Sequence, residues 1–173
     1  MADDQLQEKL GDYIEDAHAM ETNVLQMLDS MISTTEDAQI RQELEQHKQQ
    51  TEQHEQLLRE RLEATGRGTS VRKETQSMMG GLLKSVTDQV RGDKPGKNAR
   101  DGFVTEHMEI AAYELLERLA LRAGDPQTAA VARQNRADEE AMAQKIAANW
   151  DRTLDLTLKA EGISAPAASS TAI

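Results

Sequence analysis

The sequence predicts an all-α protein: a four-helix bundle whose second and third helices are joined by a long crossover. Three observations carry this prediction. Apolar residues recur at three- and four-residue spacing through four segments of bundle length. The only aromatic residues are Tyr13, Phe103, Tyr113 and Trp150. The core must therefore consist of Leu, Met, Ala, Ile and Val, which suits helices better than a β-sandwich. Finally, β-branched runs are scarce and there are three prolines, so no segment reads as a strand.

The first helix is expected from about Asp4 to Ser33, with Leu6, Leu10, Ile14, Ala17, Glu21, Val24, Leu28 and Ile32 along one seam. Thr34-Thr35-Glu36-Asp37 reads as a short turn that also supplies an N-cap. The second helix then runs from about Glu36 to Thr65, with Ile40, Leu44, His47, Thr51, His54, Leu58 and Leu62 on one face. Gly66-Arg67-Gly68 stops it. So short a connection makes the first two helices antiparallel neighbours.

Residues 66–100 form the crossover. Val71 to Val90 has helical character interrupted at Gly80-Gly81, and Gly92-Asp93-Lys94-Pro95-Gly96-Lys97 reads as a loop. The third helix covers about Ala99 to Arg122. Gly124-Asp125-Pro126 ends it and opens the fourth, because proline fits a first helical turn. The fourth helix extends to about Lys159, with Val131, Asn135, Met142, Ile146 and Asn149 facing in. The bundle domain thus spans residues 1–161, and residues 162–173 form a low-complexity tail expected to be disordered. Two antiparallel pairs joined by a long crossover constitute the ferritin-like topology.

Composition narrows the function. Cysteine is absent, which excludes disulfides, thiolate zinc sites and cysteine nucleophiles. The net charge is −11, which argues against binding nucleic acid through phosphate neutralisation. Residues 66–102 are locally basic and read as a connector docked on acidic helices. No apolar run approaches the roughly 20 residues of a membrane span, and the polar N-terminus is not a signal peptide. A cytoplasmic, membrane-free protein is expected. No phosphate loop, serine elbow or nucleophilic triad is present.

What remains is a set of polar residues on the apolar stripes. Glu21 lies on that of the first helix, between Ala17 and Val24. His47, Thr51 and His54 share the second, with Glu52 and Glu55 beside it. Glu109 lies on the third, with Glu106 one turn earlier toward its edge, and Asp138 and Glu139 flank the inward line of the fourth. A carboxylate on a buried face costs free energy unless it is paired, protonated or bound to a cation. All of these residues lie near mid-helix, so packing brings them to one height. Carboxylates and imidazoles at that density suit iron or manganese, with zinc a further option. The candidate ligands are Glu21, Glu52, His54, Glu106, Glu109 and Glu139. Ion pairs from the inward acids to Arg118 or Arg136 are the competing reading. Tyr113 is either a donor close to the centre or a core aromatic bonded to a helix carbonyl.

With these residues laid out, the chain resembles the YciF-like family of bacterial stress-associated ferritin-like proteins. The match rests on Ala19-Met20-Glu21, on His47 with Thr51, on the run Glu106-His107-Met108-Glu109-Ile110-Ala111-Ala112-Tyr113, and on Asp138-Glu139. The resemblance implies a ferritin-like fold, a homodimer and a dinuclear metal centre. The chain departs from the usual Glu-x-x-His pattern: Thr51 precedes His54 where Glu is expected, and Met142 follows Glu139 where His is expected. Gln50 stands where the YciF-like pattern has Glu. Two functions follow as expectations. One is a stress-response protein that binds iron or manganese and carries out weak iron or peroxide oxidation. The other is a metal-free bundle acting as a dimeric structural or partner-binding protein.

Overall fold

In the computed structural model, the described residues are 2–67 and 94–166, with side chains from residue 4 onward. Five helices follow one another: α1 (Ala2–Thr34), α2 (Ala38–Ala64), α3 (Lys94–Arg122), α4 (Pro126–Ala148) and α5 (Trp150–Ala160). All neighbouring helices of the bundle run antiparallel. Lys48 on α2 meets Asp29 on α1, and further down Glu55 meets His18. Gln7 near the start of α1 donates to the carbonyl of Ala123, just past α3, while Thr105 near the start of α3 lies against Met27. Arg61 at the end of α2 pairs with Asp125 before α4. The chain therefore leaves α2 at one end of the bundle and enters α3 at the other, as a crossover requires. The helical reading of Val71 to Val90 falls outside the described residues.

Local signals set the helix ends. Asp37 caps α2 by accepting from the amides of Gln39 and Ile40, and Asp125 caps α4 by accepting from Gln127 and Thr128. Gly124, with φ of 72°, takes the left-handed conformation that ends α3. Gly11 sits inside α1 for a different reason: an added Cβ would lie 2.3 Å from Arg67 Nε. The Arg67 side chain lies across that glycine and binds Asp12, Glu15 and the carbonyl of Glu8.

Two expected boundaries are corrected. The loop expected at Gly92–Lys97 gives way to helix at Lys94, because Pro95 suits a first turn and the Gly96 amide donates to Thr157 Oγ1 at 2.8 Å. The single fourth helix expected to run to Lys159 is instead broken at Asn149 into α4 and α5. Asn149 donates back to the carbonyl of Lys145, and Trp150 packs edge-on against Phe103 of α3 at 5.4 Å. Arg152 then binds Asp37, so α5 closes over the end of the bundle where α1 joins α2.

The apolar core is divided in two. Leu10, Ile14, Leu58, Leu62, Tyr113 and Leu116 belong to one cluster; Val24, Met27, Leu28, Met31, Leu44 and Met142 belong to the other. Glu21, His47, His54, Glu106, Glu109 and Glu139 lie between them. Among the described residues, no helix is long and apolar enough to cross a membrane.

Candidate metal centre

Each bundle helix contributes to the layer between the two apolar clusters. α1 supplies Glu21, α2 supplies His47 and His54, α3 supplies Glu106 and Glu109, and α4 supplies Glu139. All six are at most 2% exposed. The helical period explains the choice. His47, Thr51 and His54 are spaced by four and three and share a face, as do Glu106, Glu109 and Tyr113.

Two overlapping groups result. One ligand atom from each of His47, Glu106, Glu109 and Glu139 lies within 4.8 Å of the others, and the same holds for Glu21, His54 and Glu139. Ligands about 2.0–2.2 Å from one ion lie at most about 4.4 Å apart, so each group needs only a small contraction to close on a cation. Glu139 belongs to both. Its Oε1 is 2.9 Å from His54 Nδ1, and its Oε2 is 3.6 Å from His47 Nε2. Glu106 Oε1 lies 3.3 Å from His47 Nε2. On its far side, His54 Nε2 contacts Asp138 at 3.2 Å. That carboxylate can fix the ring so that Nδ1 faces inward, as partners of metal-bound histidines commonly do.

The hydrogen-bond inventory points the same way. Among the described residues, every buried side-chain nitrogen or oxygen without a hydrogen-bond partner belongs to these six residues, apart from Oδ1 of Asn135. Both oxygens of Glu109 are among these atoms, as is one oxygen each of Glu21 and Glu106. Even His54 Nδ1 and Glu139 Oε1 approach closely without hydrogen-bond alignment. Folded proteins leave few buried polar groups unpaired, so their concentration at one height calls for an additional partner. Among the described residues, no buried Lys or Arg provides it. The arginines weighed for that role are engaged elsewhere: Arg118 binds Glu114, and Arg136 binds Glu114, Glu117 and Glu140.

Electrostatics show how the layer is balanced by protons alone. Burial drives the Glu109 carboxyl well above the usual carboxylate range, and the charges of Glu139, Glu21 and Glu106 push it further. Burial likewise raises Glu21, and lifts Glu106 to about 7 against the opposing pull of His47. For His54, burial opposes the charged form, but contacts with Glu139 and Glu21 outweigh it and hold the ring protonated up to about 10. Glu139 is the exception. Burial would raise it too, yet His54 and His47 keep it below the usual value.

A family described as a domain of unknown function (DUF892) matches residues 5–159. The chain belongs to that family. Its fold recurs in a solved protein from Xanthomonas campestris pv. campestris, with 24% identity, a TM-score of 0.76, and coverage of 92% of this chain and 99% of that one. The Escherichia coli stress protein YciF matches at 16% identity and a TM-score of 0.71, covering 92% of this chain and 98% of its own. YcfI from Rhodopseudomonas palustris matches at 20% identity and 0.69, over 82% and 92% of the two chains. The YciF-like resemblance read from the helix motifs agrees with both findings, and the structural likenesses establish the shared all-α fold.

Within this DUF892 chain, five of the six residues singled out as ligands come together: Glu21, His54, Glu106, Glu109 and Glu139. Glu52 does not. Its side chain is 54% exposed and lies 3.9 Å from Lys48, because one residue's turn from buried Thr51 points it outward. His47 takes the place that the sequence reading left to Glu52. Its position four residues before Thr51 already put it on the stripe. Thr51 itself turns its hydroxyl back to the His47 carbonyl at 3.2 Å. Tyr113 is also resolved: its hydroxyl donates to Glu21 and accepts from Asn135, so it braces a candidate ligand rather than a helix carbonyl. Met142 packs in the apolar cluster next to the site.

Proposed function

We propose that this chain is a metal-binding bundle protein of the stress-response type, whose two adjacent ligand groups, both including Glu139, would hold iron or manganese. The carrying observation is the layer of buried, unpaired carboxylate and imidazole atoms at mid-bundle, with no buried Lys or Arg among the described residues to neutralise it. Hard carboxylate oxygens with two imidazoles suit iron and manganese. Glu21, His54 and Glu139 would hold one ion, and His47, Glu106, Glu109 and Glu139 the other. Bound iron would supply one-electron redox chemistry toward dioxygen or peroxide. The chain's own contributions are positional. Asp138 orients His54, Tyr113 and Asn135 fix Glu21, and the cluster of Leu10, Ile14, Leu58, Leu62 and Leu116 closes one side of the layer.

The reading is tested by adding Fe(II) to metal-free protein and following its oxidation by dioxygen and by peroxide. Oxidation faster than in buffer, and lost in Glu109→Ala of unchanged helicity, is expected. A rate equal to buffer would remove the oxidation chemistry.

A second reading draws on the outer face of α3. Val104, Leu115 and Leu121 are 50%, 54% and 55% exposed there, which supports a homodimer joined along α3. Leu119, one turn beyond Leu115, instead packs against the core. In this reading the central layer is filled by protons. Sedimentation analysis of Leu115→Glu tests it: the variant is expected to be monomeric, and a dimer that persists would exclude this face.

A further inference from the structure

A cavity of about 620 Å³ opens at the end of the bundle closed by α5. This lies within the roughly 300–1,000 Å³ typical of small-molecule sites. Thr35, Asp37, Lys94 and Lys159 stand at its mouth. Its interior is walled by Met27, Met31, Leu44, Met142 and Ile146, and it reaches Glu106 at mid-bundle. Protein cores rarely keep voids larger than a water molecule, so an apolar space of this size in so small a bundle is suited to an occupant.

The lining specifies that occupant. None of the described lining residues is aromatic, and three of the inner ones are methionines, whose flexible thioethers adapt to an aliphatic chain. Glu106 is the one candidate metal ligand among the lining residues. It is 2% exposed, and its Oε2 lacks a hydrogen-bond partner, whereas Oε1 faces His47. One acceptor oxygen at the end of an apolar passage matches a group with a single O–H donor. A carboxylate head would bring no donor and would add a negative charge beside the unpaired acids, whereas a hydroxyl brings one donor and no charge.

We propose that this cavity binds a neutral, unbranched aliphatic molecule with a terminal hydroxyl, its chain among the methionines and its O–H donated to Glu106. The site stands on the cavity and on Glu106, without a metal ion, so the proposal is independent of the metal reading.

The test uses metal-free protein and 1-decanol, with binding followed by isothermal titration calorimetry. Saturable binding with one molecule per chain is expected, and decanoate should bind about tenfold or more weakly, equivalent to roughly 1.4 kcal/mol. Gly102→Leu fills the passage from α3: an added Cβ there would meet Ile146 at 3.5 Å and Met31 at 3.9 Å, both ordinary contacts. It should weaken decanol binding by about tenfold or more. Ile146→Phe should do the same from α4, and decides the matter if Gly102→Leu loses helicity. Absence of decanol binding, unchanged affinity in a folded variant, or equal affinity for an ionised analogue would each overturn the proposal. Decanol binding with no uptake of Fe(II) would leave this site standing and remove the metal reading alone.

Discussion

Glu139 on α4 lies 2.9 Å from His54 on α2, and neither side chain is more than 2% exposed. The pair links the two candidate metal positions, since the other oxygen of Glu139 faces His47. Breaking a buried ion pair by removing one partner typically costs about 3–5 kcal/mol. Replacing Glu139 by Ala is therefore expected to lower the stability of the metal-free protein by about that amount, as measured by urea unfolding. A change below about 1 kcal/mol, within the range of an exposed pair, would show that the two groups do not interact as an ion pair.

Glu109 should behave in the opposite way. It has no hydrogen-bond partner, and burial favours its neutral form. A buried unsatisfied polar group costs about 1–3 kcal/mol, so Glu109→Leu is expected to stabilise the metal-free protein by a similar amount. The same variant should lose the metal position built with His47. A lower melting temperature in the absence of metal would mean that Glu109 has a structural partner.

The central layer also sets a pH dependence. Glu106 and His54 both have folded-state values raised above their ordinary ones, to about 7 and about 10. Groups of this kind stabilise the fold at pH below their unfolded values and lose that contribution as pH rises through the folded values. The lowered carboxylates Asp37 and Asp125 act in the opposite sense, but at acid pH below their ordinary value of 3.8. These linked protons span from the ordinary 4.5 of Glu106 to about 10 for His54, so between roughly pH 5 and 8, inside that span, the melting temperature of metal-free protein is expected to fall. Ions must displace the same protons, so the increment in melting temperature on adding Mn(II) should grow over that range. Calorimetry across the window checks both trends; a constant increment would contradict proton-linked binding.

Gly11 and Arg67 form a separate test of the fold. Replacing a helical Gly by Ala ordinarily gains about 0.8–1 kcal/mol. Here the new methyl group would displace Arg67 from Asp12 and Glu15. Gly11→Ala is expected to gain little alone, and to recover its helix-propensity gain when Arg67 is already Ala. A double-mutant cycle should give a coupling of about 0.5 kcal/mol or more. Strict additivity would show that Arg67 does not rest on Gly11.

Periodicity made much of this legible. The seam through Leu10, Ile14, Ala17, Glu21 and Val24 identified both the core face of α1 and its one misplaced acid. Gly124-Asp125-Pro126 and the turn Thr34-Thr35-Glu36-Asp37 marked helix starts, because a cap and a first-turn proline are local chemistry. The break at Asn149 was not legible, because its cause is tertiary: Trp150 against Phe103 and Arg152 on Asp37. The choice between Glu52 and His47 failed for a related reason. The Glu-x-x-His pattern directed attention to acids near His54, whereas the phase of α2 put His47 inside and Glu52 in solvent. The cavity leading to Glu106 depends on how α5 folds over the bundle end, which no helical spacing encodes.

The most direct measurement is metal content by elemental analysis after purification without chelator and reconstitution with Fe(II) or Mn(II), with Glu139→Gln alongside. The two ligand groups sharing Glu139 predict two ions per chain in the wild type, and loss of both in a Glu139→Gln protein of unchanged far-UV helicity. No metal above background in the wild type, or full occupancy in the variant, would contradict a centre bridged by Glu139.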